Sequence, residues 1–205
     1  MVVAQLLPAR CVACNQTGSW WCDQCASQVR LVDSPVYHHR DALNGVWAAA
    51  YFRKPLAAGV KALKYRHTRA VSEDLARYLV PPLEHIGSGS AVLVPIPLHP
   101  SRRRKRGHNQ AELLARSVAR QTRTPYRTDL KRIRNTPTQT ELHRTERFNN
   151  VVGAFAWRGS KPPVKVILVD DVVTTGATFE AAAMACRAAG VREVWGLAVA
   201  YRERS

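Results

Sequence analysis

Long apolar runs are missing from this chain: no segment approaches the roughly 18 uninterrupted apolar residues that a membrane helix needs. The opening MVVAQLL is too short, and lacks the basic residues, to act as a secretory signal, so the expected address is the cytoplasm, without a membrane. Internal repeats and low-complexity tails are also absent, which argues against solenoids and disordered arms. Acidic residues are scarce, 15 Asp and Glu against 31 Lys and Arg. No Ser-His-Asp arrangement and no nucleophilic cysteine is evident, so covalent catalysis has no candidate.

What is present bounds the rest. At 205 residues, 46% hydrophobic and 22% charged, the chain can bury one substantial core but not two large ones. One main domain with an appendage is expected, divided as residues 1–40 and 41–205. The formal charge of +16 favours polyanions or phosphorylated ligands as partners. An Arg-rich composition that serves only solubility is the bland alternative, so local clusters carry more information than the total.

The stretch CVACNQTGSWWCDQC holds Cys11, Cys14, Cys22 and Cys25 as two CxxC pairs seven residues apart. In a reducing compartment such pairs are metal ligands rather than disulfides, and four thiolates at about 2.3 Å form a structural zinc site with no open position. Bound as thiolates to zinc they would lower the charge to about +14. Cys186 differs: it shares a helical stripe with Phe179, Ala182, Ala183 and Ala189 and reads as a buried inert thiol. Trp20 and Trp21 inside the knuckle read as packing residues, with base stacking the alternative.

LVDSPVYHHRDALNG follows as a turn-rich linker in which His38 and His39 read as exposed, with extra metal ligation the alternative. A strand is expected at 46–53, a helix opened by Pro55, and a second helix from Ser72 to Leu79 that Pro81 and Pro82 stop. AVLVPIP (91–97) and KVILVDD are continuous apolar strands, GHNQAELLARSVARQ and TFEAAAMACRAAG are helical, and EVWGLAVAYR (193–202) is a final strand. Strands alternating with helices give an α/β fold: a mostly parallel, twisted sheet flanked by helices, with the small zinc knuckle at its N-terminus.

Ligands of such sheets bind beyond the carboxyl ends of the strands. VILVDDVVTTGAT (166–178) lies at one, with Asp170 and Asp171 expected to emerge where burial stops. Adjacent carboxylates suit a diol, directly or through Mg²⁺. The small residues and hydroxyls that follow, leading into a helix, suit a phosphate. An ordinary strand-turn-helix with acidic capping is the plain alternative.

VILVDDVVTTGAT resembles the phosphoribosyl pyrophosphate (PRPP) signature of type I phosphoribosyltransferases. The double CxxC, ALKYRHTRAVSEDLA, VPIPLHPSRRRKRGHNQAELLA and RNTPTQTELHRTERFNNVVGAF together resemble the ComF competence family over nearly the whole chain. His108 departs from it, because that position is usually aromatic. The resemblance implies the type I phosphoribosyltransferase fold. It implies that Asp170 and Asp171 hold the ribose hydroxyls, and that Val173, Thr174, Thr175, Gly176, Ala177 and Thr178 hold the 5-phosphate, with Pro100, Ser101 and Arg102 as further PRPP contacts. It further implies a hood containing Arg134, Thr138, Gln139, Arg147 and Asn149, in a segment 134–150 that has no core periodicity and could shield the reacting centre from water.

Arg102, Arg103, Arg104, Lys105 and Arg106 follow the VPIP strand and are placed near the same edge, where they can meet pyrophosphate or a nucleic-acid backbone. His67, His85 and His143 read as exposed or packing residues. The implied reaction moves phosphoribose from Mg²⁺-bound PRPP to an acceptor that no residue identifies. The other reading is a non-catalytic sensor of PRPP or a nucleotide that binds single-stranded DNA and meets partner proteins of DNA uptake.

Overall fold

The computed structural model describes residues 8–38, 41–64, 70–134 and 153–203. Its strands are β1 (Gly45–Tyr51), β2 (Ala91–Pro95), β3 (Leu130–Arg132), β4 (Phe155–Trp157), β5 (Lys165–Val173) and β6 (Glu193–Tyr201). Its helices are α1 (Asp23–Ser27), α2 (Leu56–Ala62), α3 (Val71–Arg77), α4 (Val80–Ile86), α5 (Pro100–Arg106), α6 (Gln110–Thr122) and α7 (Ala177–Ala188). β1, β6, β5 and β2 form, in that order, a sheet in which every pairing is parallel. This is the expected α/β layout, and β5 lies inside it with partners on both sides, which is why its apolar run is continuous.

Period-two alternation divides the core. Ile167 and Val169 face one cluster with Val60, Leu75, Leu114 and Val118, from α2, α3 and α6. Val166 and Leu168 face the other, with Phe179, Ala182 and Cys186 from α7. Cys186 is fully buried and its thiol pKa is pushed up to about 12 by that burial, as expected of an inert packing cysteine.

Three local expectations change. Pro81 and Pro82 do not merely stop a helix: α3 ends at Arg77, and both prolines lie in the first turn of α4, where the missing amide N–H has no intrahelical partner to lose. The linker after the knuckle runs antiparallel along β1, with Val32 N–H donating to Ala49 O at 3.0 Å and Val46 N–H to Tyr37 O at 2.9 Å, so it covers an open sheet edge. β3 and β4, three residues each, form a separate antiparallel pair that buries Leu130 and Phe155 on the α7 side. They are too short for any alternation to announce them.

Candidate functional site

β2 pairs with β5 only as far as Pro95 opposite Val169, while β6 accompanies β5 on to Val173. From Asp170 onward, therefore, one side of β5 is open among the described residues. Asp170 and Asp171 were expected at the carboxyl end of the strand, where burial stops; β5 instead continues two residues past them to Val173, and Asp171 and Val173 are buried. Alternation then points them to opposite faces, Asp170 to the α7 side and Asp171 to the α6 side. The Asp171 N–H donates to Asp170 Oδ1 at 2.9 Å, tying the pair together. Burial, followed by the charge of Asp171 beside it, raises the Asp170 pKa well above the carboxylate range; Arg132 opposes both. A crowded, half-desolvated carboxylate pair of this kind is a site that gains from a cation.

The chain then enters the α7 N-terminus. Gly176 is its N-cap with φ +77°, a left-handed conformation that a β-branched residue adopts only under strain. Thr175 is buried and its Oγ1 accepts from Ala177 N–H at 3.3 Å. Tyr37, from the edge-covering linker, donates its hydroxyl to the Thr174 carbonyl and packs edge-on against Tyr201 at 6.2 Å.

On the open side stands the RGHNQ stretch. Asn109 caps α6 by accepting from Ala111 N–H at 3.1 Å and donates to Ile96 O at 3.0 Å, which fixes the exit from β2. Gln110 accepts from Arg106 Nη1 at 2.6 Å and its amide is 3.5 Å from Asp171 Oδ1. His108 is buried and pairs through Nε2 with Leu63 O at 2.6 Å, so here the position makes a polar tether to the end of α2 rather than an aromatic stack.

The five basic residues of α5 diverge. Arg103 turns to Glu112 at 3.3 Å, Arg106 to Gln110, and Arg104 and Lys105 are exposed. Arg102 bears on Arg132, whose pKa is lowered by burial and then by Arg102 and raised by Asp170. These three charges thus share one neighbourhood at the carboxyl edge.

In the N-terminal knuckle the sulfurs of Cys11, Cys14, Cys22 and Cys25 all lie within 4.8 Å of one another, with Cys14 and Cys22 at 3.6 Å. A tetrahedron of thiolates around zinc has edges of roughly 3.8 Å, so the four can hold a metal such as zinc. Burial opposes ionisation of Cys11, but backbone N–H groups of Cys22, Cys14 and Ala13 outweigh it and bring its pKa to about 6.

No family model matches the chain. It is 34% identical over 159 residues to Competence protein F of Haemophilus influenzae, which spans 72% of this chain and 69% of that protein. The chain belongs to the ComF family. It is also 30% identical over 156 residues to the DNA utilization protein YhgH of Escherichia coli K12, and 40% identical over 92 residues to Competence protein ComFC of Bacillus subtilis, the latter spanning 45% of this chain and 36% of that protein.

In this ComF chain the structure gathers Asp170, Asp171, the loop from Val173 to Thr178, and Arg102 at one sheet edge. Ser101 is drawn into the α5 cap, its hydroxyl 2.7 Å from His99 Nδ1, and Pro100 is exposed beside it. Arg134 stands exposed just after β3. Thr138, Gln139, Arg147 and Asn149 lie outside the described residues, as do His39, His67 and His143. His38 is exposed, and His85 stacks on Trp47 at 5.1 Å. Sequence reasoning missed Arg132, Tyr37 and Gln110. Only Gln110 carried a signal, its place in the stretch that opens α6.

The metal site yields a direct expectation. Protein purified without chelator should contain about one zinc per chain. Metal analysis of the Cys11→Ser, Cys14→Ser double variant should show that zinc lost; an unchanged content would remove these four cysteines as the ligands.

Proposed function

We propose that the open carboxyl edge of β5 binds PRPP with Mg²⁺, and that the chain is a phosphoribosyltransferase of the type I fold. One observation supports this above the others: a carboxylate pair on an unpaired strand edge runs directly into a left-handed Gly176 at the head of α7, with Arg102 and Arg132 alongside. Asp170 and Asp171 would hold the ribose hydroxyls and the cation, and the amides and hydroxyls of 173–178 the 5-phosphate. Mg²⁺, when bound, neutralises the departing pyrophosphate. The bond from ribose C1 to pyrophosphate breaks as an acceptor's lone pair forms the new one, and such chemistry asks the protein chiefly for positioning and charge.

The test is pyrophosphate release from PRPP across amines, ammonia and nucleobases, with single-stranded DNA as an effector. Calorimetry supplies the binding half. PRPP with Mg²⁺ should bind far better than ribose or phosphate alone, and Gly176→Val should weaken it by crowding the amides; equal affinity for the fragments would end the reading.

A second reading has its own support. Relatives are named for competence and DNA utilization, and α5 presents Arg104 and Lys105 to solvent, so we place the chain in DNA uptake, where partner proteins would meet it. In that reading the protein binds single-stranded DNA and the pocket is a sensor. Replacing Arg102, Arg103 and Arg104 by Ala should weaken DNA binding and flatten its dependence on salt, because fewer counterions are released. An unchanged slope would move the DNA contacts elsewhere.

A further inference from the structure

A cavity of about 610 Å³ opens between the exit of β2, α6 and β3. Its size lies within the roughly 300–1,000 Å³ of small-molecule sites. Four cations line it, Arg103, Arg116, Lys131 and Arg132, against one carboxylate, Glu112. That carboxylate is fully engaged: Oε2 meets Arg103 at 3.3 Å and Oε1 meets Arg116 at 2.8 Å. Glu112 therefore holds two guanidinium groups in place while cancelling the charge of only one. Lys131 has no side-chain partner among the described residues and is exposed at the wall. Tyr126 supplies a flat surface, with the Arg116 guanidinium 5.5 Å from its ring centre and Arg116 Nε 3.4 Å from its hydroxyl.

An anion is what this excess of positive charge selects, and a planar ring is what Tyr126 and Arg116 select. Pro95, Pro97 and Pro100 at the exit from β2 give this wall an apolar, rigid character. We propose that this groove is a second ligand site, taking a nucleoside phosphate: the base lies on the Tyr126–Arg116 surface and the phosphate meets Lys131. It borders the β5 site at Pro100 and Arg132 but includes none of Asp170, Asp171 and Gly176, and it does not depend on their assignment. The nucleoside phosphate is either a free nucleotide or the terminal unit of a single strand.

Calorimetry with AMP, adenosine, inorganic phosphate and a 5′-phosphorylated dT oligonucleotide distinguishes the cases. AMP also carries a ribose 5-phosphate, so each titration is repeated on Gly176→Val, whose loop at β5 is spoiled. AMP or the oligonucleotide should bind better than adenosine or phosphate, and should still do so in Gly176→Val. Tyr126→Leu and Lys131→Gln, confirmed as folded by thermal unfolding, should each weaken binding roughly tenfold. Preference for AMP identifies a free nucleotide, and preference for the oligonucleotide a strand end; both uphold the site. Binding lost in Gly176→Val but unchanged in Tyr126→Leu and Lys131→Gln would overturn it, as would no binding by either probe.

Discussion

Asp170→Asn is expected to weaken ligand binding at the site while making the empty protein more stable. Losing one good charge-assisted contact should cost about 1.5–3 kcal/mol of binding, roughly tenfold to a hundredfold in affinity for PRPP with Mg²⁺. Stability moves the other way because the Asp170 pKa is raised in the folded state by burial and by Asp171. A raised carboxylate pKa means that the folded state holds the proton more tightly than the unfolded chain. Its contribution is fully present below the unfolded value of about 4 and is lost as pH rises through the folded value. Above the unfolded value, folding the wild type therefore requires either retaining that proton or burying a charge, and asparagine requires neither. Asparagine keeps the oxygen that accepts the Asp171 N–H. The melting temperature of Asp170→Asn should therefore exceed that of the wild type above about pH 5, the gap should close toward pH 3, and Mg²⁺ should narrow it by stabilising only the wild type. A variant that melts lower at every pH would show that Asp170 supports the fold and is not a strained binding residue.

Parts of this arrangement were legible from residue order and parts were not. The strands of the parallel sheet announced themselves because burial on both faces demands unbroken apolar runs, as in Val166 to Val169. The four cysteines announced themselves because a metal fixes its ligands by short-range spacing. By contrast, Asp170 and Asp171 were expected to end the strand where burial stops, and the strand runs on to Val173 because β6 continues to pair where β2 has stopped. Strand length on one side of a sheet is a property of the neighbours, which residue order does not reveal. Arg132 bears on the charge of Asp170 from a three-residue strand, and Tyr37 reaches Thr174 across 137 residues of chain. Contacts of that span have no period and leave no local mark. Pro81 and Pro82 were ambiguous for another reason, since the same ring that ends one helix is favoured in the first turn of the next.

Trp21→Ala should destabilise the whole protein although the residue lies in the four-cysteine knuckle. Trp21 is only 7% exposed and belongs with Cys11 and Cys25 to the same buried cluster as Leu56, Val60, Leu75 and Leu79. Its indole N–H donates to the Tyr78 hydroxyl at 3.1 Å, and Tyr78 in turn lies 3.4 Å from the Ala26 carbonyl, so α3 and α1 are pinned through one aromatic pair. Gly59 makes the approach possible: a Cβ there would lie 3.0 Å from the indole ring. Removing a buried tryptophan costs about 3–5 kcal/mol, which for a chain of this size lowers the melting temperature by roughly 6–20 °C. Trp21→Phe keeps most of the ring and gives up the hydrogen bond, so about 1–2 kcal/mol is expected there. Zinc content should be unchanged in both, because no ligand is altered; this separates lost packing from lost metal. Chelation of the wild type should, through the same contact, lower the melting of the sheet domain as well as that of the knuckle. Two separate unfolding transitions, with the larger one unmoved by Trp21→Ala and by chelator, would show that the knuckle folds and melts independently.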